Sequence, residues 1–218
     1  MSNPLGLADE FAILGADGAR THIGLFGGTF DPIHLGHLIV AEQVRDAFGL
    51  DAVIFIPTAV PSYKNRMPIL EPDERLALCA LAIADNPHFD VSDVDVRRGG
   101  STYTIDTLTT FRSWYPDNVR LSFIVGADSA RMIHTWHQSE RLPELADFIA
   151  VTRPGYTLDV LAADSLAEQF GFEVQRLRIS GLAVSSSDVR ERIREHRSIR
   201  YLVPDAVREY IGGRRLYE

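Results

Sequence analysis

An α/β fold with a mainly parallel sheet is predicted by two features of the 218-residue chain: short apolar runs alternate with helical patterns along its length, and the first run passes through a glycine-rich turn into a helix. Ile23 to Phe26 reads as a buried strand, Gly27 and Gly28 as a tight turn that also admits close approach of a ligand, and Leu35 to Phe48 as an amphipathic helix closed by Gly49. Further apolar runs follow at Ala52 to Ile56, Phe89 to Val96, Leu121 to Val125, Phe148 to Val151 and Phe172 to Leu177. Helical patterns at Pro72 to Ala84, Thr104 to Tyr115, Leu142 to Ala146 and Leu158 to Phe170 separate them. In such a sheet ligands bind outside the carboxyl ends of the strands, near the point where strand order reverses. After Val184 the pattern changes. Ser185-Ser186-Ser187 precedes a helical stretch from Asp188 to His196, and Pro204 to Ile211 reads as a final helix. Residues 1–21 are then an N-terminal extension without an assigned role, 22–184 the core, and 185–218 a small helical subdomain packed on it.

Bulk composition sets limits. Charged residues make up 24% and hydrophobic ones 45%, ordinary values for a soluble globular protein. The formal net charge of −8 argues against a nucleic-acid polymer as partner, so an anionic ligand must be met by locally placed cations and helix termini. Cys79 is the single cysteine, which excludes disulfides and cysteine-based zinc sites within the chain, and its place in a helical run predicts a buried structural thiol. Asp9, Glu10 and Asp17 interrupt the apolar residues of the first 21 positions, so neither a signal peptide nor a membrane span is expected, and a cytoplasmic location is. Oligomeric state is left undefined.

The segment Gly24 to His37, Gly-Leu-Phe-Gly-Gly-Thr-Phe-Asp-Pro-Ile-His-Leu-Gly-His, carries the chemistry. His34 and His37 are three apart and share one face where the helix begins, and unpaired amides with the positive dipole end favour an anion there. Two histidines alone would favour a reading as surface or metal-binding residues. The glycines, Asp31-Pro32 and the strand-to-helix context favour a phosphate site, and no H-E-x-x-H spacing or nearby cysteine supports a metal. A second candidate phosphate site is Val184-Ser185-Ser186-Ser187-Asp188-Val189-Arg190, where a serine-capped helix start combines amides and hydroxyls with the charge of Arg190. Asp128, after the strand Leu121 to Val125 in Gly126-Ala127-Asp128, is placed either to cap the next helix or to accept hydrogen bonds from ribose hydroxyls.

The H-x-G-H pattern within G-G-T-F-D-P-x-H-x-G-H and the serine motif, in this order, resemble the two signatures of the nucleotidyltransferase superfamily. Ser101-Thr102-Tyr103-Thr104-Ile105-Asp106-Thr107-Leu108, Thr135-Trp136-His137, Thr152-Arg153-Pro154-Gly155-Tyr156 and Tyr201-Leu202-Val203-Pro204 resemble, within it, the bacterial nicotinate mononucleotide adenylyltransferases, and the likeness runs from Ile23 to Tyr217. The resemblance implies a Rossmann-like nucleotide-binding fold and transfer of the adenylyl group of ATP to nicotinate mononucleotide, with release of pyrophosphate. It implies an ATP site at Gly27, Gly28, Thr29, Phe30, His34, Gly36, His37, Gly126, Asp128, Ser186, Ser187 and Arg190. The mononucleotide would meet Lys64, Thr104, Trp136, His137 and Arg153: Trp136 stacking on the ring, Thr104 and the backbone amide of His137 recognising it, Lys64 and Arg153 on the phosphate.

The attacking group in that reaction is already an anionic phosphate, so no residue must remove a proton, and the protein's work is positioning and electrostatics. His34, His37, Lys64 and Arg190 are the expected catalytic residues, with His37 donating to the α-phosphate. Mg²⁺ is expected on ATP itself, since this ion commonly binds through phosphates and waters. Another superfamily transferase, such as the pantetheine-phosphate enzyme, shares the first and serine motifs but not the Tyr103-Thr104-Ile105-Asp106, Trp136-His137 and Arg153-Pro154-Gly155 stretches. A non-catalytic dinucleotide-binding module would carry G-x-G-x-x-G, which is absent.

Overall fold

The computed structural model describes residues 3–61, 69–152, 171–172, 174–180 and 183–218. Its main sheet contains β1 (Thr21–Gly28), β2 (Ala52–Pro57), β4 (Phe89–Val91), β6 (Val119–Gly126), β7 (Asp147–Thr152) and β8 (Val174–Arg178), in the spatial order β4-β2-β1-β6-β7-β8. Every neighbouring pair is parallel. The strand order reverses between β1 and β6, which are paired from Thr21↔Val119 to Phe26↔Ile124. A second parallel pair, β3 (Val60–Pro61) with β5 (Ser101–Thr102), stands beyond the carboxyl end of β2.

Both faces of the main sheet are covered, which is why its central strands are apolar at successive positions. Ile23 and Leu25 of β1, Ile54 and Ile56 of β2 and Leu121 and Phe123 of β6 point to one face, where Ile105, Leu108 and Phe111 of helix α5 (Thr104–Trp114) cover them. Phe26, Val53, Phe55 and Ile124 point to the other. There they meet Val40 and Val44 of α2 (Leu35–Phe48) and Leu78 and Cys79 of α3 (Pro72–Ile83). Two C-terminal helices, α7 (Ser186–Arg194) and α8 (Asp205–Arg214), bury Val189, Val207 and Ile211 in that same cluster. Helix α2 has the bounds its sequence predicts, and Gly49 ends it with a left-handed φ of 60°.

The N-terminal extension is part of the packed structure. Leu5, Leu7 and Phe11 are buried on the α5 face, Trp114 Nε1 donates to the Ala12 carbonyl at 2.8 Å, and Tyr115 Oη donates to that of Phe11 at 2.7 Å. Cys79 is fully buried, and burial pushes its thiol up, away from the reactive thiolate.

Three local expectations are corrected. Phe89 to Val96 is not one strand: β4 ends at Val91, and Val94–Arg98 forms helix α4. Asp95, between Val94 and Val96, is held inside the protein by side-chain partners, so the alternation of apolar and polar residues there does not mark a strand with one face in solvent. The segment around Leu142 is a 3₁₀ stretch, Ser139–Glu144, with Pro143 inside it, and does not extend to Ala146. Gly27 and Gly28 belong to β1, paired with Ile56 and Pro57, and do not make the turn. The left-handed residue is Phe30, with φ 47°. The helical pattern at Leu158 to Phe170 lies outside the described residues.

Candidate active site

Glycines 27 and 28 are needed for close approach. A Cβ on Gly27 would stand 2.9 Å from the Phe123 ring, and one on Gly28 would stand 2.6 Å from that of Phe30. Phe30 itself is buried among the Phe26 and Phe55 rings, so it can offer a ligand only its backbone. After Phe30 the chain passes Asp31-Pro32 to His34, the N-cap of α2. His34 and His37 are stacked, with ring centroids 3.7 Å apart at 22°. The His37 Nδ1 accepts the His34 backbone N–H at 3.2 Å. That acceptor role fixes the tautomer: a neutral His37 carries its proton on Nε2 and presents it as a donor. His34 is nearly fully enclosed, and Gly36 lies under it, leaving 3.0 Å between a hypothetical Cβ and the His34 ring.

The serine motif closes on the same turn from the other side. Ser185 is the N-cap of α7, its hydroxyl accepting Asp188 N–H at 3.1 Å. Ser186 Oγ donates to the Pro32 carbonyl at 2.9 Å. Arg190 donates through Nη1 to the Asp31 carbonyl at 2.6 Å and through Nη2 to Ser187 Oγ at 3.2 Å, while its buried Nε has no hydrogen-bond partner. Two helix N-termini, two histidines and one arginine thus converge on residues 27–34, an arrangement suited to a polyanion.

A cavity of about 720 Å³ opens beside this turn, at the carboxyl ends of β1 and β6, where the strand order reverses. It brings Gly27, Gly28, Gly126, Asp128, Thr104, Trp136 and His137 together. Thr104 is the first residue of α5. Trp136 sits edge-on to Phe123, with centroids 6.2 Å apart at 87°, half in the core and half in the cavity. His137 is exposed, its ring 4.7 Å from that of Tyr103. Asp128 is exposed in the first turn of the short helix α6 (Ala127–Ala130). Lys64 and Arg153 lie outside the described residues.

Several participants escape a sequence reading. Asp95 lines the cavity wall almost wholly buried, its Oδ1 held by Thr107 Oγ1 at 2.7 Å and by Arg98 at 2.8 Å. Burial raises its carboxyl above the usual range, with those two partners opposing. Asp31, within the turn that follows β1, is buried and accepts from Ile69 N at 2.8 Å and Tyr217 Oη at 2.8 Å. Burial first, and Asp31 second, push the Tyr217 hydroxyl up, so it stays a donor. Arg75 is fully buried on α3; with Leu78, Cys79 and Ala82 it follows the i, i+3, i+4, i+7 spacing of a core stripe, and that spacing is the signal available in the sequence. Among the described residues no group of three or more His, Cys, Asp and Glu is placed to hold a metal ion, and no helix is long and apolar enough to cross a membrane.

A family model for cytidylyltransferase-like proteins matches residues 25–192. The chain is 46% identical over 198 residues to a protein of Corynebacterium glutamicum named "probable nicotinate-nucleotide adenylyltransferase", covering 91% of this chain and 89% of that one. A protein of Salinispora arenicola with the same name is 46% identical over 194 residues, covering 88% and 99%. Among solved structures, the nicotinic acid mononucleotide adenylyltransferase of Plasmodium falciparum complexed with NaAD superposes with a TM-score of 0.71 at 21% identity, over 90% of this chain and 97% of that one. That likeness is one of fold. The sequence relationship goes further, and on it the chain belongs to the cytidylyltransferase-like family, among the nicotinate-nucleotide adenylyltransferases.

Proposed function

We propose that the chain transfers the adenylyl group of ATP to nicotinate mononucleotide, giving nicotinate adenine dinucleotide and pyrophosphate, one step before NAD. The observation that carries this reading is the junction of two sites at one turn. A polyanion site built from His34, His37, Ser186, Ser187 and Arg190 adjoins a cavity lined by Thr104, Trp136 and His137, and Gly27-Gly28 is shared by both.

In this reading the triphosphate lies along residues 27–30 and the start of α2, with Ser187 and Arg190 on the β- and γ-phosphates. The Arg190 Nε, buried without a partner, is one donor available for that contact. Asp128 and Gly126 take the adenosine ribose. The acceptor ring stacks on Trp136 with its carboxylate toward the His137 amide and Thr104. Its phosphate, guided by Lys64 and Arg153, brings an oxygen to the α-phosphorus. One P–O bond forms there as the bond to the β-phosphate oxygen breaks, and pyrophosphate leaves with the electron pair. No proton need be removed from the nucleophile, and the Nε2–H of His37 meets the charge that builds on the α-phosphate. Mg²⁺ enters as part of the Mg–ATP substrate, and the cytoplasm, where ATP is at hand, is the setting this reading implies.

The test is pyrophosphate release from Mg–ATP with nicotinate mononucleotide or pantetheine phosphate as acceptor. Release with the first and none with the second is expected. Release with pantetheine phosphate alone would move the chain to another reaction of the superfamily.

A further inference from the structure

A charged side chain with no exposure is costly to bury unless all of its donors are engaged, so a fully buried arginine reports a structural demand. Arg75 lies on the core face of α3. Among the described residues it makes no salt bridge, and its guanidinium donates to three backbone carbonyls from three separate segments. Nη1 donates to Thr29 at 2.7 Å, Nη2 to Ala59 at 2.8 Å and Nε to Leu70 at 3.1 Å. Thr29 belongs to the phosphate turn, while Ala59 and Leu70 stand on either side of residues 62–68, which include Lys64.

Asp31 works on the same junction from the opposite sign. It is 5% exposed, accepts the backbone N–H groups of Ile69 at 2.8 Å and Leu70 at 3.4 Å, and receives the Tyr217 hydroxyl. Burial lowers the Arg75 pKa, and the Asp31 charge is the largest influence opposing it. Arg75 and Asp31 therefore hold Leu70 together, one at its carbonyl and one at its N–H, and each also grips the turn that follows β1. A planar fork of five donors can span three carbonyls; a lysine ammonium, a compact point charge, cannot reproduce that fixed geometry.

We infer that Arg75 is a positioning residue for the transfer reaction: it ties the turn at Thr29 to Ala59, whose N–H is in turn held by Thr102 Oγ1 on the cavity wall, and so sets the phosphates of ATP against the cavity that takes the acceptor and its attacking phosphate. It touches neither substrate. The inference rests on the adenylyl-transfer reading for the identity of the second phosphate.

Arg75→Lys and Arg75→Gln test it, the second because it leaves no buried charge and is the milder substitution for the fold. Each purified variant is checked by circular dichroism, its ATP affinity is measured by calorimetry, and kcat and KM are measured by pyrophosphate release. A displacement on the scale of an ångström at reacting groups costs on the order of a hundredfold, so kcat should fall about tenfold to a hundredfold in both, with ATP affinity changed by less than about threefold. A folded variant that keeps wild-type kcat would overturn the inference, as would a loss confined to ATP affinity. Failure of both variants to fold would overturn it too, because Arg75 would then be holding the core and not the site. Wild-type protein run alongside separates this outcome from that of the proposed function: if pantetheine phosphate supports release and nicotinate mononucleotide does not, the proposed function falls and the kcat comparison is made with that acceptor.

Discussion

At the scale of single residues, the proposed transfer depends most on His37. Its Nδ1 is committed to the His34 backbone N–H, so the donor it offers is Nε2–H, held in place before substrate arrives. A preorganised donor acts mainly where charge develops, and removing one from such a site costs about 2.7–4 kcal/mol of transition-state stabilisation. His37→Ala should therefore lower kcat on the order of a hundredfold to a thousandfold while ATP affinity changes far less. Steady-state kinetics beside calorimetric ATP titration checks the split, and a folded variant with kcat within a few-fold of wild type would contradict the assignment. The histidine pair was legible in the sequence because a three-residue spacing at a helix start places both rings on one face. Arg75 was legible only as a member of a core stripe and Asp31 only as part of the Asp31-Pro32 motif; the partners that hold them were not. A charged residue within a helix or loop reads as solvated until the tertiary structure shows that carbonyls and amides from distant segments enclose it.

Among the elements, α7 gives the sharpest expectation, since its N-terminal half carries Ser186, Ser187 and Arg190 beside the turn that follows β1. Arg190→Ala removes a charge-assisted donor and a point charge, whereas Ser187→Ala removes one neutral hydroxyl. Both should weaken ATP, the arginine change more, and charged hydrogen bonds at about 1.5–3 kcal/mol set the scale for Arg190. Calorimetric titration of each variant with Mg–ATP reads this, and unchanged affinity in both would place the triphosphate elsewhere. Helix α2 was legible to its last residue because both of its ends carry local signals. Helix α4 was not, because Phe89 to Val96 is apolar at alternating positions on either side of the point where pairing with β2 stops. No local feature marks that point. The role of Gly27 and Gly28 was misread for a related reason: glycine codes equally for a turn and for lack of room, and only the Phe123 and Phe30 rings decide between them.

In the whole molecule, the alternation of strand and helix fixed a parallel sheet with its ligand site at the carboxyl ends, and the cavity stands there between β1 and β6. The N-terminal extension had no readable purpose, since its burial of Leu5, Leu7 and Phe11 depends on partners more than eighty residues away in sequence. In the proposed reaction the carboxylate of the acceptor meets backbone N–H groups in the cavity beside α5 and Trp136. An amide in that place offers one acceptor oxygen and an NH₂ donor, leaving at least one pocket N–H facing another donor. An unsatisfied buried polar group costs on the order of 1–3 kcal/mol, so kcat/KM should favour the acid by at least about tenfold to a hundredfold. The measurement is kcat/KM for pyrophosphate release from Mg–ATP with nicotinate mononucleotide and with its amide counterpart, in the same wild-type preparation. A tenfold or greater preference for the acid is expected; equal values for the two acceptors, or a preference for the amide, would contradict a cavity that takes the acceptor's carboxylate.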